Sequence, residues 1–139
     1  MTAIETPVAV VTGGARRLGR HLAERLAVRG YHVIIVYRSS ADDATALVDA
    51  IAASGGTARA VQTDIAGRDA VAALFADIRA REGRVDLLLN NVGNYNPQDV
   101  TALDPVVWDE TIAANLSGAY YCCHHALTLM PEGGQIISI

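Results

Sequence analysis

The hydrophobic residues of this chain change period repeatedly, and that alternation restricts the fold more than any single motif. Val8–Val11, Val33–Val36 and Val85–Leu89 are short runs of mostly β-branched residues or leucine, bounded by turn residues. Apolar runs without polar alternation suit strands covered on both faces, the condition of a parallel sheet. "TARAVQTD" (Thr57–Asp64) is a shorter strand candidate, and "GQIISI" is the last. Between these runs the apolar residues fall at helical spacing. Leu18, Leu22 and Leu26 predict one helix, stopped near Gly30, and Leu47, Val48 and Ile51 predict a second, ended by Ser54–Gly56. Val71, Leu74, Phe75 and Ile78 follow the i, i+3, i+4, i+7 pattern of a third, ending near Gly83. A longer helix is expected from an Asp104 N-cap with Pro105 in first position to about Met130, before Pro131. The order β-α-β-α-β-α-β-α-β is that of an α/β, doubly wound parallel sheet with right-handed crossovers and ligands at the carboxyl ends of its strands.

Composition narrows the function classes. With 51% hydrophobic and 19% charged residues, the 139-residue chain suits one domain with a real core. A net charge of -4 and a pI near 5.4 argue against a nucleic-acid partner, whose footprint is basic. No secretory signal pattern opens the chain, and no apolar run approaches the ~20 residues of a membrane span. Cys122 and Cys123 are adjacent, without metal-ligand or redox spacing, and read as reduced packing residues. A cytoplasmic protein is the expectation.

Four motifs carry candidate chemistry. The first, "VVTGGARRLGRHLAERLA" (Val10–Ala27), passes from a strand through a glycine turn into a helix. Its spacing is T-G-x-x-x-R-x-G from Thr12 to Gly19, not G-x-G-x-x-G. Gly13 allows a tight turn, Gly19 a close helix–strand approach, and the helix N-terminus attracts pyrophosphate. "VDLLLNNVGNY" ends a strand in Asn90 and Asn91. "QTDIAG" places Asp64 at the end of the third strand, and "WDETIAANLSG" puts Asn115 inside a helix, where asparagine is a poor choice. Each alone reads equally well as a turn or a solvated side chain.

In combination and order, the four motifs resemble the short-chain dehydrogenase/reductase family over essentially the whole chain, which matches about the first half of a typical member. "TGGARRLG" is similar to the family's T-G-x-x-x-G-x-G turn, "NNVG" to N-N-A-G, Asp64–Ile65 to the adenine-contacting pair, and "NLSG" to the catalytic asparagine with its flank. The resemblance implies a Rossmann-type fold that binds a nicotinamide dinucleotide. It implies that Gly13, Arg16, Leu18 and Gly19 line pyrophosphate and adenosine ribose, that Asp64 accepts from the adenine amino group while Ile65 packs on the ring, and that Asn91 and Gly93 contact ribose. Asn115 is implied to position a water in the proton relay, and the long helix, with Tyr120 and Tyr121 as packing residues, to join a homo-oligomeric interface.

The departures point to a branch and a cofactor. Arg17 replaces the middle glycine, as in pteridine-reductase-like members, with 3-oxoacyl reductases as the other similar branch. At the end of the second strand, Tyr37 stands where NAD-preferring members carry aspartate, and Arg38 and Ser39 follow. Arg38 and Arg16 suit a 2′-phosphate through charge-assisted hydrogen bonds, so NADPH (NADP) is the expected cofactor. Adjacent His124 and His125 lack the spacing of a helical metal pair, and no metal site is expected. The substrate class implied is a small-molecule carbonyl or a pterin. The family's Tyr-x-x-x-Lys is not found: all 11 Lys/Arg residues are arginine. Residues 1–139 are therefore expected to be the NADP-binding part of a domain truncated at strand five and inactive alone, the alternative being a non-enzymatic dinucleotide sensor or an inactive fragment.

Overall fold

The computed structural model describes residues 6–139. The elements run β1 (Val8–Thr12), α1 (Arg17–Val28), β2 (His32–Tyr37), α2 (Ala41–Ala53), β3 (Thr57–Gln62), α3 (Arg68–Arg81), β4 (Leu87–Asn90), α4 (Pro105–Ile112), a π-helical turn (Ala113–Ser117), α5 (Gly118–Ala126) and β5 (Gln135–Ser138). Five parallel strands form one sheet in the order β3-β2-β1-β4-β5. The order reverses at β1, so the carboxyl ends of β1 and β4 flank the crevice where such sheets take ligands.

Successive strand residues point to opposite faces, and the core divides accordingly. Val8 and Val10 of β1, Ile34 and Val36 of β2 and Leu88 of β4 meet Val71, Leu74, Phe75 and Ile78 of α3 and Cys122 and Ala126 of α5. Their neighbours Ala9, Val11, Val33, Ile35, Leu87 and Leu89 meet Ala23 and Ala27 of α1 and Ala44, Leu47 and Ile51 of α2 on the other face. Burial on both faces explains why these strands lack polar alternation.

Three elements differ in detail from their sequence patterns. Helix α1 forms where the leucine spacing predicts it, but its fully buried residues are Gly19, Ala23 and Ala27, while Leu18 is 50% exposed. The small stripe lets α1 lie close to the sheet, and Leu22 and Leu26 pack along its flank. The long helix does begin at Asp104, whose carboxylate accepts from the Val106 N–H at 2.8 Å, with Pro105 next. It is not continuous to Met130, however. A π-turn interrupts it at Ala113–Ser117, and α5 ends at Ala126. Strand β3 likewise ends at Gln62, short of Asp64.

A buried-edge charge pair ties β4 to β1 at the far end of the sheet. Asp86 accepts from the Val8 N–H at 2.8 Å and from Arg84 Nη2 at 2.6 Å and Nε at 2.9 Å. Burial pushes the Asp86 carboxyl up, but the Arg84 hydrogen bonds, the Val8 N–H and the Arg84 charge outweigh it and hold the group below the usual carboxylate range.

Ala23→Leu is expected to cost about 1–3 kcal/mol by overpacking, while Leu18→Ala moves stability by less than about 0.5 kcal/mol, both read by urea denaturation. Because the Asp86 pKa is depressed on folding, its contribution is complete above the unfolded carboxylate pKa of about 4 and is lost as pH falls through the folded value. The stability gap between the parent chain and Asp86→Asn should therefore narrow on acidification below about pH 4, which denaturation across a pH series measures.

Candidate dinucleotide cleft

The turn between β1 and α1 is built around two residues with positive φ, Gly13 at +61° and Arg17 at +50°. Glycine tolerates that region freely, whereas an L residue with a Cβ is strained in it. Arg17, at the motif's middle-glycine position, is held in that region. Gly19 is required for a different reason. A Cβ there would collide with the Gly13 carbonyl and lie 2.6 Å from Asn91 Nδ2.

Strand β4 braces this turn from beside it. Asn91 Nδ2 donates to the carbonyls of Thr12 and Gly13, each at 3.2 Å. The Asn91 N–H donates to Thr12 Oγ1 at 3.0 Å, and that hydroxyl donates to the Leu89 carbonyl at 3.3 Å. Thr12 is fully buried. Asn90 points the other way, its Nδ2 lying 3.3 Å from both Cys123 Sγ and Ser138 Oγ and tying β4 to α5 and β5. Cys122 is buried, its thiol pushed up to about 12 by desolvation first and the neighbouring Cys123 second, which makes it a packing residue rather than a nucleophile.

Above the brace lies an open cleft of about 560 Å³. All but one of the residues singled out for cofactor or catalysis border it: Gly13, Arg16, Arg17, Leu18, Gly19, Arg38, Ser39, Asp64, Ile65, Asn91 and Gly93. Asn115 is the exception, and its neighbours Asn94 and Ala114 stand in its place. Helix α1 points its N-terminus here with no side-chain cap and no acidic residue in its first turn, leaving amide donors for an anion.

Around the rim the side chains take distinct settings. Asp64 is exposed and closes its own turn, accepting from the Ala66 N–H at 3.0 Å. Ile65 is 5% exposed and turned inward against Gly118, where an added Cβ would meet it at 2.8 Å. The exposed Arg38 is held at its backbone, its carbonyl accepting from Gln62 Nε2 at 2.9 Å. Arg16 pairs with Asp43, Nε to Oδ2, at 3.3 Å. Asn115 lies in the π-turn, with Oδ1 accepting from the Asn94 N–H at 2.6 Å and Nδ2 donating to the Asn94 carbonyl at 2.8 Å. That double contact gives the mid-helix asparagine its reason, and π-turns of this kind recur at functional sites. Tyr120 is exposed, and His125 stacks on Phe75 at a centroid distance of 6.0 Å.

Thr12, Asn94 and Asp43 escaped the sequence reading. Thr12 stood in plain view as the first residue of the glycine motif, but its partners lie more than 70 positions away.

The family model described as short chain dehydrogenase matches residues 7–139. A 3beta-hydroxysteroid dehydrogenase of Mediterraneibacter gnavus is 34% identical over 141 residues, covering 100% of this chain and 51% of the relative. A 3-oxoacyl-[acyl-carrier-protein] reductase, FabG, of Staphylococcus aureus is 34% identical over 96% of this chain and 55% of its own length. Among solved structures, a short-chain dehydrogenase from Burkholderia cenocepacia in complex with NADP superposes with a TM-score of 0.91 at 34% identity, over 97% of this chain and 55% of that one. A short-chain dehydrogenase/reductase from Serratia marcescens gives a TM-score of 0.93 at 30% identity, over the same shares. The chain spans about half the length of the curated relatives it matches.

Arg17→Gly should leave the turn intact and relieve about 1 kcal/mol of backbone strain, offset in part by the freedom glycine gains when unfolded. Gly19→Ala should destabilise the chain by at least about 1–3 kcal/mol. Thermal and urea unfolding of the two variants measure both.

Proposed function

The chain belongs to the short-chain dehydrogenase family, and from that premise we propose that residues 1–139 hold NADP(H) for a protein that reduces a small carbonyl or pterin substrate. The observation that carries this reading is the braced glycine turn, which presents uncapped α1 amides to a cleft rimmed by Arg16 and Arg38. The fit is good on shape and charge. The collision a Cβ at Gly19 would cause marks a backbone packed as closely as a pyrophosphate cradle demands.

In this assignment the amides of Leu18 and Gly19 receive the pyrophosphate, and Asp64 accepts from the adenine amino group. Ile65 supports the adenine side of the cleft from beneath, and Asn91 and Gly93 approach ribose. Arg38, Ser39 and Arg16 take the 2′-phosphate, and the cleft edge offers Tyr37 in place of a carboxylate that would repel it. Arg17 adds a further cation beside the turn. When bound, the dinucleotide supplies the hydride. Asn115 holds a relay water through its backbone, its remaining amide hydrogen or the second lone pair of Oδ1, because Asn94 takes one bond at each end of its side-chain amide. The family's Tyr-x-x-x-Lys is absent from these residues. The fully buried Thr12 and the Asn91 amide leave the turn little freedom, which fits a preorganised site. A cytoplasmic location, a homo-oligomeric assembly and a small-molecule partner belong to the same proposal. Similarity to the 3-oxoacyl-[acyl-carrier-protein] reductase of Staphylococcus aureus favours a 3-oxoacyl-type carbonyl among the substrates.

Nicotinamide fluorescence titrations test the reading. NADPH should bind at least about tenfold more tightly than NADH, and Arg38→Gln should weaken NADPH by about tenfold while sparing NADH. Equal or tighter NADH binding contradicts it. The chain by itself should show no carbonyl-dependent NADPH oxidation, and steady turnover on any carbonyl panel would overturn that part.

A further inference from the structure

Beside the end of the cleft bordered by Arg16, Ser39 and Ser40 stands a carboxylate, Asp43, that the cofactor reading does not use. Arg16 is not a free cation, because its Nε lies 3.3 Å from Asp43 Oδ2. Asp43 stands in the first turn of α2, whose N-cap residue Ser40 makes no side-chain cap hydrogen bond. A second hollow of about 260 Å³ opens here, bordered by Arg16, Ser39, Ser40, Ala41, Asp42 and Asp43. Arg16, Ser39 and Ser40 also border the main cleft. The guanidinium between the two hollows is therefore held from one side by an acid.

We propose that Asp43 competes with the cofactor's 2′-phosphate for Arg16 and so sets how strongly the chain discriminates NADPH from NADH. This inference rests on the NADP(H) reading above. The side chains of Arg16 and Asp43 are 64% and 49% exposed, so the pair is solvated and weak. A phosphate dianion displaces or shares it. The carboxylate stays within reach of the incoming phosphate, and like charges at that range repel even in high dielectric. A cofactor with a bare ribose hydroxyl leaves the pair intact. Asp43 thus acts against the phosphorylated cofactor alone, and it does so through Arg16. Asp42, the preceding residue on the same turn, borders the same hollow without an ion pair to Arg16. It supplies the control for a general change of charge and for the loss of an acid from the α2 N-terminus.

Dissociation constants of NADPH and NADH, measured by nicotinamide fluorescence at fixed ionic strength, test this on the chain and on D43N, D42N, R16Q and R16Q/D43N. D43N should tighten NADPH about two- to fivefold and leave NADH unchanged. D42N should do markedly less, and D43N should have no effect in the R16Q background. An unchanged or lowered NADPH preference in D43N overturns the proposal, since Asp43 would then be idle or would hold Arg16 ready for the phosphate. Tightening that persists without Arg16, or that D42N matches, overturns it as well. The cofactor reading fails by a different signature: NADPH binding no tighter than NADH in the parent chain and unmoved by R16Q, a result that removes the proposal with it.

Discussion

One side-chain amide fastens the two loops that make the cleft. β1 and β4 are neighbours at the reversal point of the sheet, so the turns that leave their carboxyl ends emerge side by side. Asn91 Nδ2 spans them, donating to the Thr12 and Gly13 carbonyls, while Thr12 Oγ1 returns the contact to Asn91 N–H and the Leu89 carbonyl. These backbone groups sit where the sheet ladder ends, and unpaired in a buried setting each would cost on the order of 1–3 kcal/mol. With them paired, Gly19 can lie directly against the turn, and the first amides of α1 face the cleft instead of a protein cap. The cation-lined rim then has a fixed backbone to work against.

Positive charge of two kinds faces the cleft along this frame. The α1 N-terminus supplies partial positive charge without an acidic neighbour in its own first turn. Arg16, at the α1 N-cap, and Arg38, beyond the end of β2, add full charges, and Arg16 is tempered by an acid. The acid comes from α2, a helix on the same face of the sheet as α1. Under the proposed NADP(H) reading, affinity for a diphosphate and selectivity for a phosphorylated ribose would reside in separate parts of the chain. One depends on backbone geometry, and the other on exposed side chains that a single substitution can rebalance.

Much of this was legible from the residues. The alternation of strands and helices, the buried face of α3 and the Asp104–Pro105 helix start follow from local patterns that tertiary packing reinforces. Leucine spacing revealed α1 as a helix but not its most buried stripe, because Gly19, Ala23 and Ala27 are too small to register as an apolar pattern. No periodicity marks the π-turn at Asn115, which becomes intelligible only once Asn94 is brought across to both ends of its side-chain amide. The residues singled out from the sequence that border the cleft belong to contiguous motifs. Thr12 and Asp43 were missed because their roles arise from partners that the sheet brings together from elsewhere in the chain. Asn91 was found for a different reason from the one the fold reveals, since its amide braces the glycine turn as well as bordering the cleft.

The central claim is that the braced glycine turn is the seat of the dinucleotide. Backbone amide chemical shifts of the isotope-labelled chain, followed as NADPH is added, test it most directly. The account predicts that the largest perturbations fall on Gly13 to Gly19, with a second group at Asn91 to Asn94 and a third at Arg38 and Ser39. Saturating perturbations confined to other surfaces, with Leu18 and Gly19 unmoved, would contradict it.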